Sequence, residues 1–157
     1  MRIEYTEDED YPGQFNFYQA NCNRSLTGRR GQAALRELEA ALLALSAKRL
    51  IANELDNGAD CCAIGALARR KGLTFDIDPE DGGMEEVGVE CGMPRLVAWK
   101  VVEANDIDNE TYSVRAPGPN VYCWPQYTPG YSLIVEVTPE QRYVSVLEWV
   151  RSMLRAA

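Results

Sequence analysis

Histidine does not occur anywhere in the 157-residue chain. That absence removes the commonest general base near neutral pH, and with it Cys-His hydrolases and Ser-His-Asp triads. It also removes the imidazole ligands on which many zinc sites draw. Cysteine is sparse and odd in number: Cys22, Cys61, Cys62, Cys91 and Cys123. The adjacent pair Cys61-Cys62 has no second pair at zinc-finger spacing, so no metal site is expected. No apolar run reaches the roughly 18 residues of a membrane span, and no membrane partner is expected. A glycine-rich phosphate loop behind a strand is also missing. The opening MRIEYTEDEDYPG is acidic and unlike a secretory signal, so the expectation is a cytoplasmic chain with reduced, mostly buried thiols and no disulfide framework.

What is present describes a folded globule. Hydrophobic residues make up 46% and charged ones 25%, and a chain of this length buries enough surface for one core, so residues 1–157 are read as a single domain with an acidic N-terminal segment. The net charge is −8, from 24 acidic and 16 basic residues, and it is segregated. Glu4, Glu7, Asp8, Glu9 and Asp10 open the chain, while Asp76, Asp78, Glu80, Asp81, Glu85, Glu86 and Glu90 fill a second stretch. Between them lies a basic band of Arg24, Arg29, Arg30, Arg36, Lys48 and Arg49. Such a band binds its own neighbours, a second copy, or a charged partner.

Periodicity predicts four helices. Leu35, Leu38, Leu42 and Leu45 recur at helical spacing in Arg29 to Leu45, with Ser25 or Thr27 as candidate caps. A shorter helix begins near Asp60 and ends at Lys71-Gly72, with Gly72 as C-cap and Arg69, Arg70 and Lys71 suited to the negative end of its dipole. Pro94 opens a third, closing at Asn105-Asp106. Thr138-Pro139-Glu140-Gln141 is a capping box for the fourth, whose apolar face reads Tyr143, Val144, Leu147, Val150 and Leu154. Thr74 to Gly83 reads as an exposed loop. From Glu110 to Val137 four prolines exclude helix, and Asn120 to Trp124 and Tyr131 to Val137 read as strands joined through Pro125 to Gly130. The expected class is α+β: a mainly helical domain with a small antiparallel hairpin within 110–137.

Several strings carry a resemblance. Gln19 to Leu45 (QANCNRSLTGRRGQAALRELEAALLAL), Lys48-Arg-Leu-Ile51 and Cys62-Ala-Ile-Gly-Ala-Leu67 resemble uncharacterised accessory proteins of bacteriophages and prophages. Ala98-Trp99, Asn105-Asp106 and Thr138 to Val150 look like the rest of that pattern, about two thirds of the chain in all. The resemblance implies a phage context in a bacterial host cell and transfers no activity. The Pro- and Tyr-rich insert from Glu110 to Val137 and the acidic loop before it depart from the pattern.

Candidate chemistry is sparse. Cys61 or Cys62 at a helix start suggests a nucleophile, but no histidine is there to act as base, and a buried packing role is the competing reading. Asp76-Ile-Asp78-Pro-Glu80-Asp81 has alternating oxygen ligands, yet an EF-hand loop needs Gly at its sixth and Glu at its twelfth position, where Asp81 and Val87 stand. Asn105-Asp106-Ile-Asp108-Asn-Glu110 more often satisfies local backbone groups than holds a cation. Gly28-Arg-Arg-Gly31 places two arginines at a helix start without the strand a phosphate site needs, so salt bridging is the alternative. No catalytic residue, cofactor or enzyme activity is assigned.

The function expected is therefore a phage-encoded inhibitor, of the anti-CRISPR or another anti-defence kind. It would bind a host nucleic-acid-handling protein complex with a basic surface through Glu7, Asp8, Glu9, Asp10, Asp76, Asp78, Glu80, Asp81, Glu85 and Glu86. Direct nucleic-acid contact by such acidic faces is not expected. The same acids serving solubility alone is the plain alternative. A second reading is a self-associating phage structural or assembly protein, a homodimer formed through Tyr122, Trp124 and Tyr127. A carboxylate-based enzyme is the third.

Overall fold

The computed structural model describes residues 12–75, 83–106, 109–115 and 130–155. Six helices and two strands follow in order: α1 Pro12–Thr27, α2 Arg29–Ala44, α3 Ala63–Lys71, α4 Met84–Glu90, α5 Arg95–Asn105, β1 Asn109–Arg115, β2 Gly130–Glu136 and α6 Pro139–Met153.

Helix α2 is the axis of the body. Leu35, Leu38 and Leu42 are fully buried on one stripe with Ala34 and Ala41, and α1, α3 and α6 pack around it. Helix α1 was not expected from sequence. It closes with the Thr27 hydroxyl donating to Asn23 O at 2.8 Å, so Thr27 serves the end of α1 and not the start of α2. The N-cap of α2 is Gly28, with no side-chain cap bond. Gly31 is required by contact, since a Cβ there would lie 2.0 Å from Ser25 O.

Helix α3 lies inside, buried from Ala63 to Ala68. It ends as expected at Gly72, in the left-handed region at φ 68°, where Gly72 N–H donates to Arg69 O and Leu73 N–H to Ala68 O. These two bonds satisfy last-turn carbonyls in a Schellman pair. Helices α4 and α5 pack together, and α5, with Val97, Ala98 and Val101 fully buried, touches α1, α3 and α6. The capping box of α6 is formed: Gln141 N–H donates to Thr138 Oγ1 at 3.2 Å and Thr138 N–H to Gln141 Oε1 at 2.9 Å. The buried face of α6 is Arg142, Tyr143, Val146, Leu147 and Val150. Val144 is 51% exposed, because one residue past Tyr143 the helix has turned about 100° away from the core.

The α+β expectation is overturned; the fold is helical. Every member of the hydrophobic core cluster lies in a helix, in the 45–62 connection or in the short connection around Cys91 and Met93. Tight packing of apolar helix stripes closes this core without a sheet layer. The expected hairpin of 120–124 with 131–137 is corrected as well. Residues 130–136 take 109–115 as antiparallel partner, Gly130 opposite Arg115 and Glu136 opposite Asn109, and the expected strand 120–124 lies outside the described residues.

The connection between α2 and α3 carries no helix or long strand, yet Leu50 and Leu55 are buried in it. Its backbone is satisfied from afar. Leu50 N–H donates to Pro139 O at 3.0 Å, and the buried Arg142 Nη1 donates to Leu50 O at 3.3 Å. Asn105, 1% exposed, donates through Nδ2 to Ile51 O at 2.8 Å and accepts from Ala63 N–H at 3.0 Å. Replacing Asn105 with Ala orphans both backbone groups, each costing about 1–3 kcal/mol. The expected loss is about 3 kcal/mol in urea unfolding, and a loss under about 1 kcal/mol would refute the role. Gly31→Ala gains about 1 kcal/mol of helix propensity. Its clash outweighs that gain, and a lowered urea midpoint is the expected reading.

Candidate functional site

The described part of the acidic stretch lies at the start of α4. Glu85 and Glu86 occupy its first turn, where the positive end of a helix dipole favours carboxylates. Arg95, in the first turn of α5, donates through Nη1 to Glu86 Oε1 at 2.9 Å. This hydrogen bond holds the Glu86 carboxyl below the usual carboxylate range. Both partners are at least half exposed, so the pair orients Glu86 more than it stabilises the fold. The structure thus pairs Glu86 with Arg95, and Glu85 stands in the same first turn of α4. Glu7, Asp8, Glu9, Asp10, Asp76, Asp78, Glu80 and Asp81 lie outside the described residues, as do Tyr122, Trp124 and Tyr127.

The basic band divides in two. Lys48 Nζ donates to Leu43 O at 2.6 Å and Leu45 O at 2.7 Å, closing the end of α2, and stands 5.7 Å from the centre of the Tyr143 ring. Arg49 bridges Glu140 at 3.1 Å and Asp60 at 3.5 Å. Farther on, Arg69 grips Asp56 with Nε to Oδ2 at 2.5 Å and Nη2 to Oδ1 at 2.7 Å, a two-pronged pair that closes the 56–61 turn. Arg24, Arg29, Arg30 and Arg36 are exposed and enter no ion pair among the described residues, so the salt bridges expected of Arg29 and Arg30 are not formed there.

Cys62 is the N-cap of α3, its Sγ accepting from Gly65 N–H at 3.3 Å. A helix start lowers a thiol pKa, but burial acts oppositely and dominates, pushing Cys62 up to about 12 and Cys61 up to about 11. The Cys91 thiol is pushed up for the same reason. Cys22, Cys61, Cys62 and Cys91 are all buried free thiols. They are packing residues, and the nucleophile reading of Cys61 or Cys62 has no activated sulfur to stand on.

Asp106 completes the polar knot at the end of α5. Its Oδ1 accepts from Asn53 N–H at 3.1 Å and from Asn105 Nδ2 at 3.0 Å. The Asn105-Asp106 pair therefore satisfies backbone some fifty residues distant, and not only its own helix end. Among the described residues, no group of three or more Cys, Asp or Glu side chains is arranged to hold a metal ion. Among the same residues, no helix is long and apolar enough to cross a membrane. No family model, curated protein or solved structure matches the chain.

The thiols and Asp56 set opposite pH limits. Folding raises the Cys61 and Cys62 pKa values, so their contribution is complete below the ordinary thiol range and declines as pH climbs toward about 11 and 12. Arg69 lowers the Asp56 pKa, so that contribution is present above the ordinary carboxylate range and lost as acid protonates it. The expected stability profile is flat near neutrality and falls on both sides. In a Cys123→Ser variant, the four buried thiols should resist a disulfide reagent at pH about 8 and react on unfolding in urea. Rapid labelling of Cys61 or Cys62 in the native protein would contradict their burial.

Proposed function

We propose that the chain is a phage-encoded inhibitor that binds a nucleic-acid-handling protein complex of its bacterial host, of the CRISPR-effector kind, through its acidic stretch. The observation that supports this reading is the seating of Glu85 and Glu86. They continue the run Asp76, Asp78, Glu80, Asp81 into the first turn of α4, and Arg95 fixes Glu86 on the packed α4–α5 pair. Carboxylates held on a folded body lose less freedom on docking than those on a loose tail. A basic groove built to hold phosphates responds to negative charge from either source. The resemblance of Gln19 to Leu45 to phage and prophage accessory proteins supplies the context.

The test uses a purified CRISPR effector complex immobilised on resin, with the full chain applied at about 0.1 M and about 0.5 M salt. Retention at the lower salt, lost at the higher, is the expected result. Reversal of Asp78, Glu80, Asp81 and Glu85 to Lys should abolish it while leaving the free energy of urea unfolding within about 0.5 kcal/mol of the parent. Retention that survives the reversal would sink the acidic-surface reading. No retention at either salt would turn attention to self-association through Tyr122, Trp124 and Tyr127, read by sedimentation.

A further inference from the structure

We propose a second binding surface, a row of arginines around the start of α2 that takes the phosphodiester backbone of duplex DNA. Five arginines are placed around this corner, on α1, on α2 and just after α6. Arg24 sits in the last turn of α1, Arg29, Arg30 and Arg36 stand on α2, and Arg155 follows the end of α6. All five are exposed, and none enters an ion pair among the described residues.

Gln32 assembles the row. Its buried amide donates through Nε2 to Leu26 O at 2.8 Å and Met153 O at 2.9 Å, while Oε1 accepts from Arg155 N–H at 2.8 Å. One side chain thereby joins the end of α1, the first turns of α2 and the chain after α6 in a single corner. Gly31 lets α1 and α2 approach closely at the same place. The motif Gly28-Arg-Arg-Gly31 thus acquires a physical meaning: Gly31 makes the tight elbow and the arginines project from it.

Along α2, Arg29 and Arg36 are seven residues apart, roughly 10 Å along the axis and within about 20° of one line. Ala33 and Ala40 lie on that ridge, so nothing bulky stands between a partner and the helix. The acids on α2 itself are paired, Glu37 with Lys71 at 2.6 Å and Glu39 with Arg151 at 2.8 Å, and the first turn of α2 has none. Among the described residues, the five arginines therefore stand without an acidic partner on a chain of net charge −8. Each charge in the row is an arginine, whose planar fork pairs two-pronged with phosphate oxygens. A duplex offers those oxygens at fixed, repeated spacing, whereas an acidic peptide must first be ordered. Helix α4, with Glu85 and Glu86, packs on α3 and α5, so the two surfaces occupy different elements. A complex that handles nucleic acid presents a partner for each.

The experiment titrates a short fluorescein-labelled DNA duplex with the full chain and follows anisotropy, with labelled polyglutamate in parallel. Duplex binding should be indifferent to sequence, with log K falling on log salt at a slope between about −3 and −5 for four or five phosphate contacts. Replacing Arg29 and Arg36 by Gln should weaken binding at least about tenfold at about 50 mM salt and make the slope shallower by about 2. Arg70→Gln, which removes another exposed charge, should change neither, and all variants should keep the parental urea midpoint. No duplex binding at low salt overturns the proposal. So does polyglutamate binding as tight as duplex, which would reassign the row to an acidic protein partner, or an equal loss in Arg70→Gln. The charge reversal at Asp78, Glu80, Asp81 and Glu85 changes none of these arginines, so failure of the inhibitor reading and failure of this one are read separately.

Discussion

Buried backbone without regular structure is the constraint around which this fold is organised. The 45–62 connection inserts Leu50, Leu55, Cys61 and Cys62 into the core, and the backbone beside them needs partners that neither helix nor sheet supplies. Asn105 from α5, Arg142 and the backbone of Pro139 from α6, and Cys62 N–H, which donates to Leu55 O at 2.9 Å, meet that demand. In doing so they lock α3, α5 and α6 to one another. The polar residues buried in these helices are those that serve the connection, and the apolar stripes close over them. Neither set is sufficient alone, since burial without these bonds would strand polar groups and the bonds without burial would compete with water.

Four of the six helices were legible because their signals are local. The leucine stripe of α2, the Gly72 stop of α3, Pro94 before α5 and the capping box of α6 each act within a few residues. Helix α1 was hidden because Asn16, Asn21 and Asn23 are poor helix formers and its aromatic residues, Phe15, Phe17 and Tyr18, are confined to its first half. Helix α4 has seven residues and one of them is glycine, too short for a period to show. The face of α6 was misassigned at Val144 because the buried stripe extends to the other side, through Arg142 and Val146, and an arginine gives no hydrophobic signal. The burial of Leu50 and Leu55 between α2 and α3 carries no periodic signal in the sequence. The backbone partners of Leu50 are many residues away, which a local pattern does not contain.

For the site, charge segregation was visible in the sequence but the engagement of individual charges was not. Arg49, Arg69, Lys71 and Arg151 are committed to acids brought close by folding, whereas Arg24, Arg29 and Arg30 are left facing solvent. The cysteine pair shows the same limit. A helix start and burial pull a thiol pKa in opposite directions, and only the packed structure shows that complete enclosure of Cys62 decides the contest.

The clasp at Gln32 carries a consequence for the order in which the molecule is made. Its partners, Met153 O and Arg155 N–H, lie 121 and 123 residues downstream. At about 5–20 residues per second, on the order of ten seconds of synthesis separates the glutamine from its acceptor and donor. During that interval α2 has its leucines but not α6 to cover them, and the corner that gathers the arginines stays open. Helices of this length form in about a microsecond. Completion of the fold during translation is therefore timed by the arrival of its last segment and not by its local structure.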